Sequence, residues 1–143
     1  MTRGCILLLY DTLLAILAIE DLKNRKIRNR YPMAILLLSL VSTFVFGNIS
    51  VLSRSFGMLI VSIPILLLAI WIPGSFGGGD VKLSFACGAF LGGKLVLEGT
   101  MYAVLIAGIY CIYLLLRHRK IKNIQFALGP FLAIGYGIVS LKI

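Results

Sequence analysis

Residues 56–72, FGMLIVSIPILLLAIWI, decide the fold class of this chain. The stretch carries no charged residue and ends where Pro73 and Gly74 follow. A helix needs about 17–25 mostly apolar residues to cross the hydrocarbon core of a bilayer. The stretch is long enough for this, and it therefore predicts a membrane-spanning helix.

Five other apolar segments lie on either side of this stretch. They cover residues 4–20, 32–46, 80–91, 97–116 and 126–141. Segment 80–91 is short and rich in small residues, which let helices approach closely, so we expect it to be buried among its neighbours. The whole pattern predicts an all-α polytopic membrane protein, a bundle of about six transmembrane helices.

The composition excludes an ordinary soluble domain. Hydrophobic residues make up 60% of the chain and charged residues 13%, and the mean hydropathy is +1.04. Soluble domains contain about 45–50% apolar and about 25% charged residues. With 143 residues the chain has the length of one domain. We therefore expect a single transmembrane domain over residues 1–143, with a lipid bilayer covering most of its surface.

The basic residues predict how the bundle is oriented. If all six segments span the membrane, ten of the 14 basic residues fall on one side: Lys23, Arg25, Lys26, Arg28, Arg30, Lys82, Arg117, Arg119, Lys120 and Lys122. The other side holds Arg3, Arg54, Lys94 and Lys142. The positive-inside rule places the more basic side in the cytoplasm and both termini outside. This topology accounts for the net charge of +9, so we expect no nucleic-acid partner.

Acidic residues are rare, and two of them stand out by position. The chain has five: Asp11, Glu20, Asp21, Asp80 and Glu98. A carboxylate near the bilayer core costs about 2.5–3.5 kcal/mol on insertion scales, so such a residue indicates a function. Asp21 ends the first predicted helix and Asp80 begins the fourth, both at the cytoplasmic end. If these two helices are neighbours, the two carboxyl groups can face each other.

A close pair of carboxyl groups is suited to the hydrolysis of peptides. Two carboxyl groups this close share one proton, because ionising both would place two negative charges side by side. The ionised group can take a proton from water, while the protonated group polarises a peptide carbonyl or protonates the leaving nitrogen. This chemistry needs neither a metal nor another cofactor. The three scattered cysteines and one histidine also fall short of the ligand sets that hold zinc, so we expect no metal site.

Each aspartate also has a simpler interpretation. Gly77, Gly78 and Gly79 come directly before Asp80, and they leave room for an extended peptide. The same run could equally be a turn in which Asp80 caps the helix. Asp21 could form a weak interfacial salt bridge with a nearby lysine or arginine, Lys23 or Arg25.

Asp11 lies ten residues before Asp21. At a rise of about 1.5 Å per residue it is about 15 Å away along the helix, too far to join the pair. We expect it to have a structural role.

Three ordered motifs span nearly the whole chain. Asp21 is followed six residues later by Ile27 and eight residues later by Asn29. Residues 77–82, GGGDVK, form a Gly-x-Gly-Asp motif with a lysine two residues on. Residues 129–132, GPFL, lie near the start of the last predicted segment. Together these motifs resemble those of the type IV prepilin peptidases and preflagellin peptidases, which are GxGD membrane aspartyl proteases.

The resemblance implies an aspartic-type endopeptidase that removes the short basic leader of a prepilin-like protein, typically after a glycine. Cleavage would take place at the cytoplasmic face of the cell membrane, in a multi-pass protein that needs no cofactor. By carry-over, the catalytic pair is Asp21 and Asp80, and the positions that shape or support the substrate site are Gly77, Gly79, Asn29 and Lys82. The resemblance makes residues 1–143 one transmembrane peptidase domain.

The chain departs from the family pattern in two places. The family commonly has Ile-Pro-Asn where this chain has Ile27-Arg28-Asn29, and we expect Pro32 to take over part of that turn. Larger, bifunctional members carry a cytoplasmic domain with paired C-x-x-C motifs, linked to N-methylation. This sequence has no such motif, so we expect the short form without methyltransferase activity.

Two other functions remain open from the sequence. A small proton-coupled transporter would also place acids and glycine-broken helices inside a bundle, but it predicts an internal repeat and acids near the midplane. A non-catalytic subunit for pilus or secretion assembly would tolerate the loss of either aspartate. Neither the substrate nor the oligomeric state can be read from the sequence.

Overall fold

The computed structural model describes residues 2–24, 27–45, 47, 49–72, 77–117 and 128–143. These residues form six helices and no strand: α1 Thr2–Asn24, α2 Arg30–Val45, α3 Val51–Trp71, α4 Gly78–Leu91, α5 Gly93–Arg117 and α6 Gly129–Ser140. The prediction of an all-helical protein is confirmed. The predicted start of the sixth segment, Phe126, and the Pro73-Gly74 stop lie outside the described residues.

Two helices, α3 and α5, are long and apolar enough to cross a membrane by length and composition. Only 28% and 17% of their apolar spans are buried inside the protein, a smaller share than in a mostly buried core helix. The 14 residues of α4 correspond to only about 21 Å at 1.5 Å per residue. That is less than a hydrocarbon core of about 30 Å, so six complete crossings remain a prediction.

The outer surface of the bundle is apolar. Phe44 is 92% exposed, Leu116 is 82% exposed and Trp71, the last residue of α3, is 79% exposed. Soluble monomers rarely expose contiguous apolar patches larger than a few hundred Å². Such a surface is what the predicted membrane bundle would present to lipid.

As the sequence predicts, α4 is buried among its neighbours. It packs against α2, α3, α5 and α6. Its contact with α3 is made by Gly57 and Gly88, whose backbones are so close that a Cβ on Gly88 would overlap the Gly57 carbonyl oxygen. Small residues at such crossings are what close helix packing in membranes requires.

The first and fourth helices meet through large side chains. The rings of Tyr10 in α1 and Phe90 in α4 are stacked, with centroids 4.2 Å apart. Tyr10 lies 11 residues before Asp21, and Phe90 lies ten residues after Asp80. In α-helices these separations correspond to about 15–17 Å along the axis. The stacked pair at one end therefore brings the two aspartates to nearly the same depth at the other.

The positions of individual charges refine the prediction from the sequence. α1 continues to Asn24, so Asp21 lies in its last turn and does not close the helix as predicted. Arg54 is only 4% exposed and packs inside the bundle. Arg25, Lys26 and the basic residues of segment 118–127 lie outside the described residues. The orientation across the membrane therefore stays a prediction.

Candidate active site

Asp21 lies in the last turn of α1 and faces the beginning of α6. Its side chain is 5% exposed, and its Oδ2 is so close to Gly129 that a Cβ on that glycine would overlap it. Asp21 lies near a helix end, outside the two candidate membrane spans, and burial raises the pKa of its carboxyl group. With the described residues Asp21 forms no ion pair. The predicted partner Arg25 is outside them.

Asp80 lies in the first turn of α4 and is 6% exposed. Its Oδ2 accepts a hydrogen bond of 3.2 Å from the backbone N–H of Gly77. The carboxylate therefore reaches back to the residue that caps the helix, which is half of a capping box. The prediction that Asp80 helps to cap α4 is confirmed. Asp80 does so as the third residue of the helix, however, and Gly77 occupies the cap position itself.

The charge of Asp21 acts on the carboxyl group of Asp80. Burial raises the pKa of Asp80 to about 6, the Gly77 N–H opposes this shift, and the charge of Asp21 adds to it. A charge affects a neighbouring carboxyl in this way only at short range. Geometry supports this, because Ile27 lies against Gly79, next to Asp80, and against Gly129, which also meets Asp21 Oδ2. Both predicted catalytic residues therefore lie at one end of the bundle.

The glycines before Asp80 have different surroundings. A Cβ on Gly79 would lie 2.6 Å from Cβ of Ile27, which no real side chain tolerates. A Cβ on Gly78 would meet nothing within 4 Å, and one on Gly77 would lie at an ordinary 3.6 Å from Asp80 Oδ2. The need for glycine is therefore steric at Gly79. Gly77 instead contributes its N–H, and Gly78 is the variable position of the motif.

The segment after α1 packs onto the segment before and within α4. Ile27 contacts Gly79 and would also contact a Cβ on Gly129, so its side chain lies between the glycines next to the two aspartates. Asn29 accepts a hydrogen bond of 2.9 Å from the Lys82 ammonium group. These two contacts explain why the Ile and Asn spacing and the Gly-x-Gly-Asp-x-Lys spacing occur together. Asn29 and Lys82 are exposed, and they support the site from its rim.

Arg28 stands where the resembled family commonly has proline. Its Nε lies 3.2 Å from Oε1 of Glu20, and this ion pair ties the turn back to the end of α1. Pro32 is buried in the first turn of α2, inside the helix, and its part in the preceding turn stays a prediction. The acidic group of Glu20 is thereby engaged with the protein itself.

Sequence reasoning missed a polar cluster next to Asp80. Tyr136 of α6 donates a hydrogen bond of 3.1 Å to Ser84 of α4, and its hydroxyl lies 3.1 Å from that of Thr100 of α5. Ser84 is four residues after Asp80, so both lie on the same face of α4. The four-residue spacing could have indicated that Ser84 lies near Asp80. Nothing in the sequence indicated that Tyr136 and Thr100 are its partners.

Two further positions were only partly anticipated. Asp11 accepts a hydrogen bond of 2.7 Å from Ser140, so it ties α1 to α6 and has the expected structural role. Gly129 belongs to the GPFL motif, but its contact with Asp21 was not predicted. Gly129 is the first residue of α6 and Pro130 follows it, and this helix start is what could have pointed to a site there.

A family model described as the type IV leader peptidase family matches residues 8–112. The match begins in α1, includes both aspartates and ends within α5, so α6 and its GPFL segment lie beyond it. Comparisons with curated proteins and with solved structures gave no match.

Proposed function

We propose that this chain, which belongs to the type IV leader peptidase family, is an aspartic-type endopeptidase that uses Asp21 and Asp80. Membership of the family makes it a membrane-associated protease of the leader peptidase kind. One observation carries the finer proposal. Two buried carboxyl groups from different helices lie at one end of the bundle, close enough for one charge to raise the pKa of the other.

The proposed division of work follows from the surroundings of each carboxyl. Both carboxyl groups lie at the N-terminus of a helix, so the helix dipole does not distinguish them. The charge of Asp21 raises the pKa of Asp80, so Asp21 is the group that ionises first. Asp80, with its pKa raised to about 6, carries the shared proton. Asp21 is therefore the general base, and Asp80 is the general acid.

The reaction then balances with water as the only co-reactant. Asp21 takes a proton from a water molecule while the oxygen of that water attacks the peptide carbonyl carbon. At the same time, Asp80 gives its proton to the carbonyl oxygen. When the C–N bond breaks, Asp21 passes the proton to the leaving amine. Asp80 recovers a proton as the C=O bond reforms. The pair ends with one shared proton, ready for the next cycle.

The proposed substrate is a prepilin-like or preflagellin-like membrane protein with a short basic leader. The support is the family membership together with the position of the pair, at a helix end and next to an apolar surface. The proposed site faces the cytoplasm, which agrees with the excess of basic residues predicted on that side. Multi-pass insertion in the cytoplasmic membrane is part of the same proposal.

The test is cleavage of a prepilin-like substrate by the purified protein in detergent. Asp21→Asn and Asp80→Asn should each lower kcat by about 10²–10⁴-fold or more, because each removes one of the two proton-transfer groups. Asp11→Asn is the matched control, since it changes the same side chain on α1 but keeps an acceptor for Ser140. Its activity should stay within about twofold of wild type, because exchanges that keep a hydrogen bond cost little.

The outcomes separate the three functions considered. Cleavage that survives either exchange in the pair excludes this mechanism. A protein that never cleaves but moves protons or solutes across vesicles is a carrier. A protein that supports pilus or secretion assembly equally well without either aspartate is an assembly subunit.

A further inference from the structure

One carboxylate at the active-site end of the bundle has no part in the proposed reaction. The structure describes all five acidic residues of the chain, and two of them form the proposed catalytic pair. Asp11 and Glu98 lie toward the opposite end, where their partners are at the end of α6 or just after it. Glu20, near the end of α1, is the fifth. It is the one negative charge beside the site that the reaction leaves unused.

Two neighbouring side chains hold Glu20 in place. Its side chain is only 16% exposed, and its Oε1 lies 3.2 Å from Nε of Arg28. The hydroxyl of Tyr31 also interacts with it, and this hydrogen bonding raises the pKa of the hydroxyl. The carboxylate therefore has a fixed position and is largely shielded from water.

Arg28 is the more exposed partner of the ion pair. Its side chain is 60% exposed, and it lies in the short connection between α1 and α2, outside both helices. Exposed ion pairs contribute little to stability, because water solvates the charges and the long side chains lose freedom. Another cation can therefore replace Arg28 at little cost, and Glu20 stays paired throughout.

The ion pair is joined to the site through both of its partners. Glu20 directly precedes Asp21 in α1, and Arg28 follows Ile27, whose side chain lies against Gly79. A helix with its side chains is about 10–12 Å across. Two or three residues of extended peptide span about 7–11 Å. A peptide cut between the two aspartates therefore reaches Glu20 with a side chain about two or three residues from the scissile bond.

We propose that Glu20 binds a basic side chain of the leader, about two or three residues before the scissile bond, and that Arg28 occupies Glu20 until the substrate displaces it. The proposal rests on the proposed function. It adds a residue that recognises the charge of the leader and a second residue that competes with the leader. The resembled family commonly has proline at the position of Arg28, so the competitor is a feature of this chain.

The other charges at this end show why the occupant is a cationic peptide. Lys23, Arg30 and Lys82 are exposed and positive, so they repel a basic leader. Glu20 is where such a leader meets an opposite charge. An anionic lipid headgroup is attracted by the same three residues, but Glu20 repels it. The displaced guanidinium group of Arg28 extends into water, which solvates it.

The test uses the purified protein in neutral detergent and two prepilin-like substrates that differ only in the leader. One has lysine at the second and third positions before the cut, and the other has glutamine there. The measured quantity is the charge preference, which is kcat/KM for the lysine leader divided by kcat/KM for the glutamine leader. Wild type should have a charge preference of about three to five, the upper range for an exposed ion pair.

Glu20→Gln removes the charge and keeps the size of the side chain, so the charge preference should disappear. Glu98→Gln is the matched control, because Glu98 also forms an ion pair, with Lys142, but at the opposite end of the bundle. It should keep the charge preference of wild type. If Glu20→Gln keeps that preference too, even with a lower overall activity, the proposal is overturned.

Arg28→Ala tests the competitor and should shift the charge preference in the opposite direction. It leaves Glu20 unoccupied, so the preference should rise by about two- to fivefold, because no fraction of the protein is blocked. Damage to the fold does not produce a rise that is confined to one substrate. Arg30→Ala removes an exposed positive charge two residues on and should change the preference less. A preference that is unchanged in Arg28→Ala, or that rises equally in Arg30→Ala, would exclude Arg28 as the competitor.

Reversal of the charge tests the contact directly. Glu20→Lys should prefer a leader with glutamate at the second and third positions before the cut over the lysine leader. Such a rescue requires that position 20 lies next to the leader, which a purely structural role of Glu20 does not supply. If Glu20→Lys cleaves the glutamate leader no better than wild type does, Glu20 does not bind the leader.

The two proposals fail in different ways. Cleavage that needs both aspartates but has a charge preference independent of Glu20 removes this proposal and leaves the peptidase. Absence of any aspartate-dependent cleavage by wild type removes both.

Discussion

The two ends of α4 each bury a charge, but the charges have different partners. At the first turn, Asp80 has a 3.2 Å hydrogen bond from Gly77 and the second carboxyl group of Asp21 nearby. At the last turn, Nη1 of Arg54 donates to the carbonyl oxygens of Ala89 and Phe90 at 2.9 and 3.3 Å. Both charges have the sign that the helix dipole favours at their end.

The difference lies in what else surrounds each charge. Nη1 of Arg54 also bonds the hydroxyl of Ser42 at 2.9 Å, so one guanidinium group joins α2, α3 and α4. Burial makes the ionised form of Asp80 unfavourable and raises its pKa, and the like charge of Asp21 adds to this shift. The buried charge of Arg54 is held by neutral acceptors and links three helices, whereas a buried carboxyl group beside a like charge can hold a proton for transfer.

The largest effect on stability is expected at the Arg54 end. Arg54→Ala removes the donor shared by Ser42 and the last carbonyls of α4, and it should lower the free energy of unfolding by about 2–5 kcal/mol. Thermal unfolding in detergent measures this. Lys94→Ala, an exposed change near the same end, should have little effect. If Arg54→Ala unfolds no more easily than Lys94→Ala, the hydrogen bonds of Arg54 do not stabilise the bundle.

The next effect is expected at the glycines of the Asp80 end. Gly79→Ala forces a Cβ into Ile27 and should cost about 1–3 kcal/mol of stability. A displacement of Asp80 by about 1 Å should lower kcat by about 10²-fold. Gly78→Ala, whose Cβ meets open space, should leave both quantities near wild type. Equal losses in the two variants would show that the requirement for glycine is not steric.

The pH dependence of activity should reflect the raised pKa of Asp80. The active pair holds one proton, so kcat/KM should fall as the pH rises through about 6, where Asp80 ionises in the free enzyme. Bound peptide excludes water, which disfavours the charged form further, so the alkaline limb of kcat should lie at higher pH. A pH profile on an uncharged-leader substrate measures both. If the alkaline limbs of kcat and of kcat/KM lie at the same pH, bound peptide does not disfavour the charged form of Asp80.

The same pKa predicts the pH dependence of stability. The folded state holds the Asp80 proton up to about pH 6, whereas the unfolded carboxyl loses it near 3.8. The folded state therefore binds more protons between these values, and its stability should decrease as the pH rises across this window. Asp80→Asn should reduce that decrease, while Arg54→Ala should not. Thermal unfolding at pH 4 and pH 7 compares them.

The smallest effect is expected at the rim of the site. Lys82→Met removes an exposed hydrogen bond to Asn29, and such a contact contributes at most about 1 kcal/mol. A double-mutant cycle with Asn29→Ala should give a coupling energy of that size in thermal unfolding. A coupling near zero would mean that the rim does not hold the two motifs together.

Much of the architecture could be predicted because it depends on local composition. Apolar runs predicted all six helices, and small residues in segment 80–91 predicted the burial of α4. The two aspartates were found because acids in an apolar chain are few. Gly129 against Asp21 and Tyr136 against Ser84 could not be predicted, because each contact joins residues more than 50 positions apart.

The sequence by itself determined that this protein is helical and apolar on its outside, and which two carboxyl groups would lie at one depth. It could do so because hydrophobic runs and rare charges act through local free energies of transfer. Only the tertiary structure decided that Arg54 is buried as a structural charge, that Arg28 pairs with Glu20, and that Ile27 is the side chain that leaves room only for glycine at position 79. These features depend on distances between helix surfaces, and those distances are set by how all the side chains of the bundle pack together.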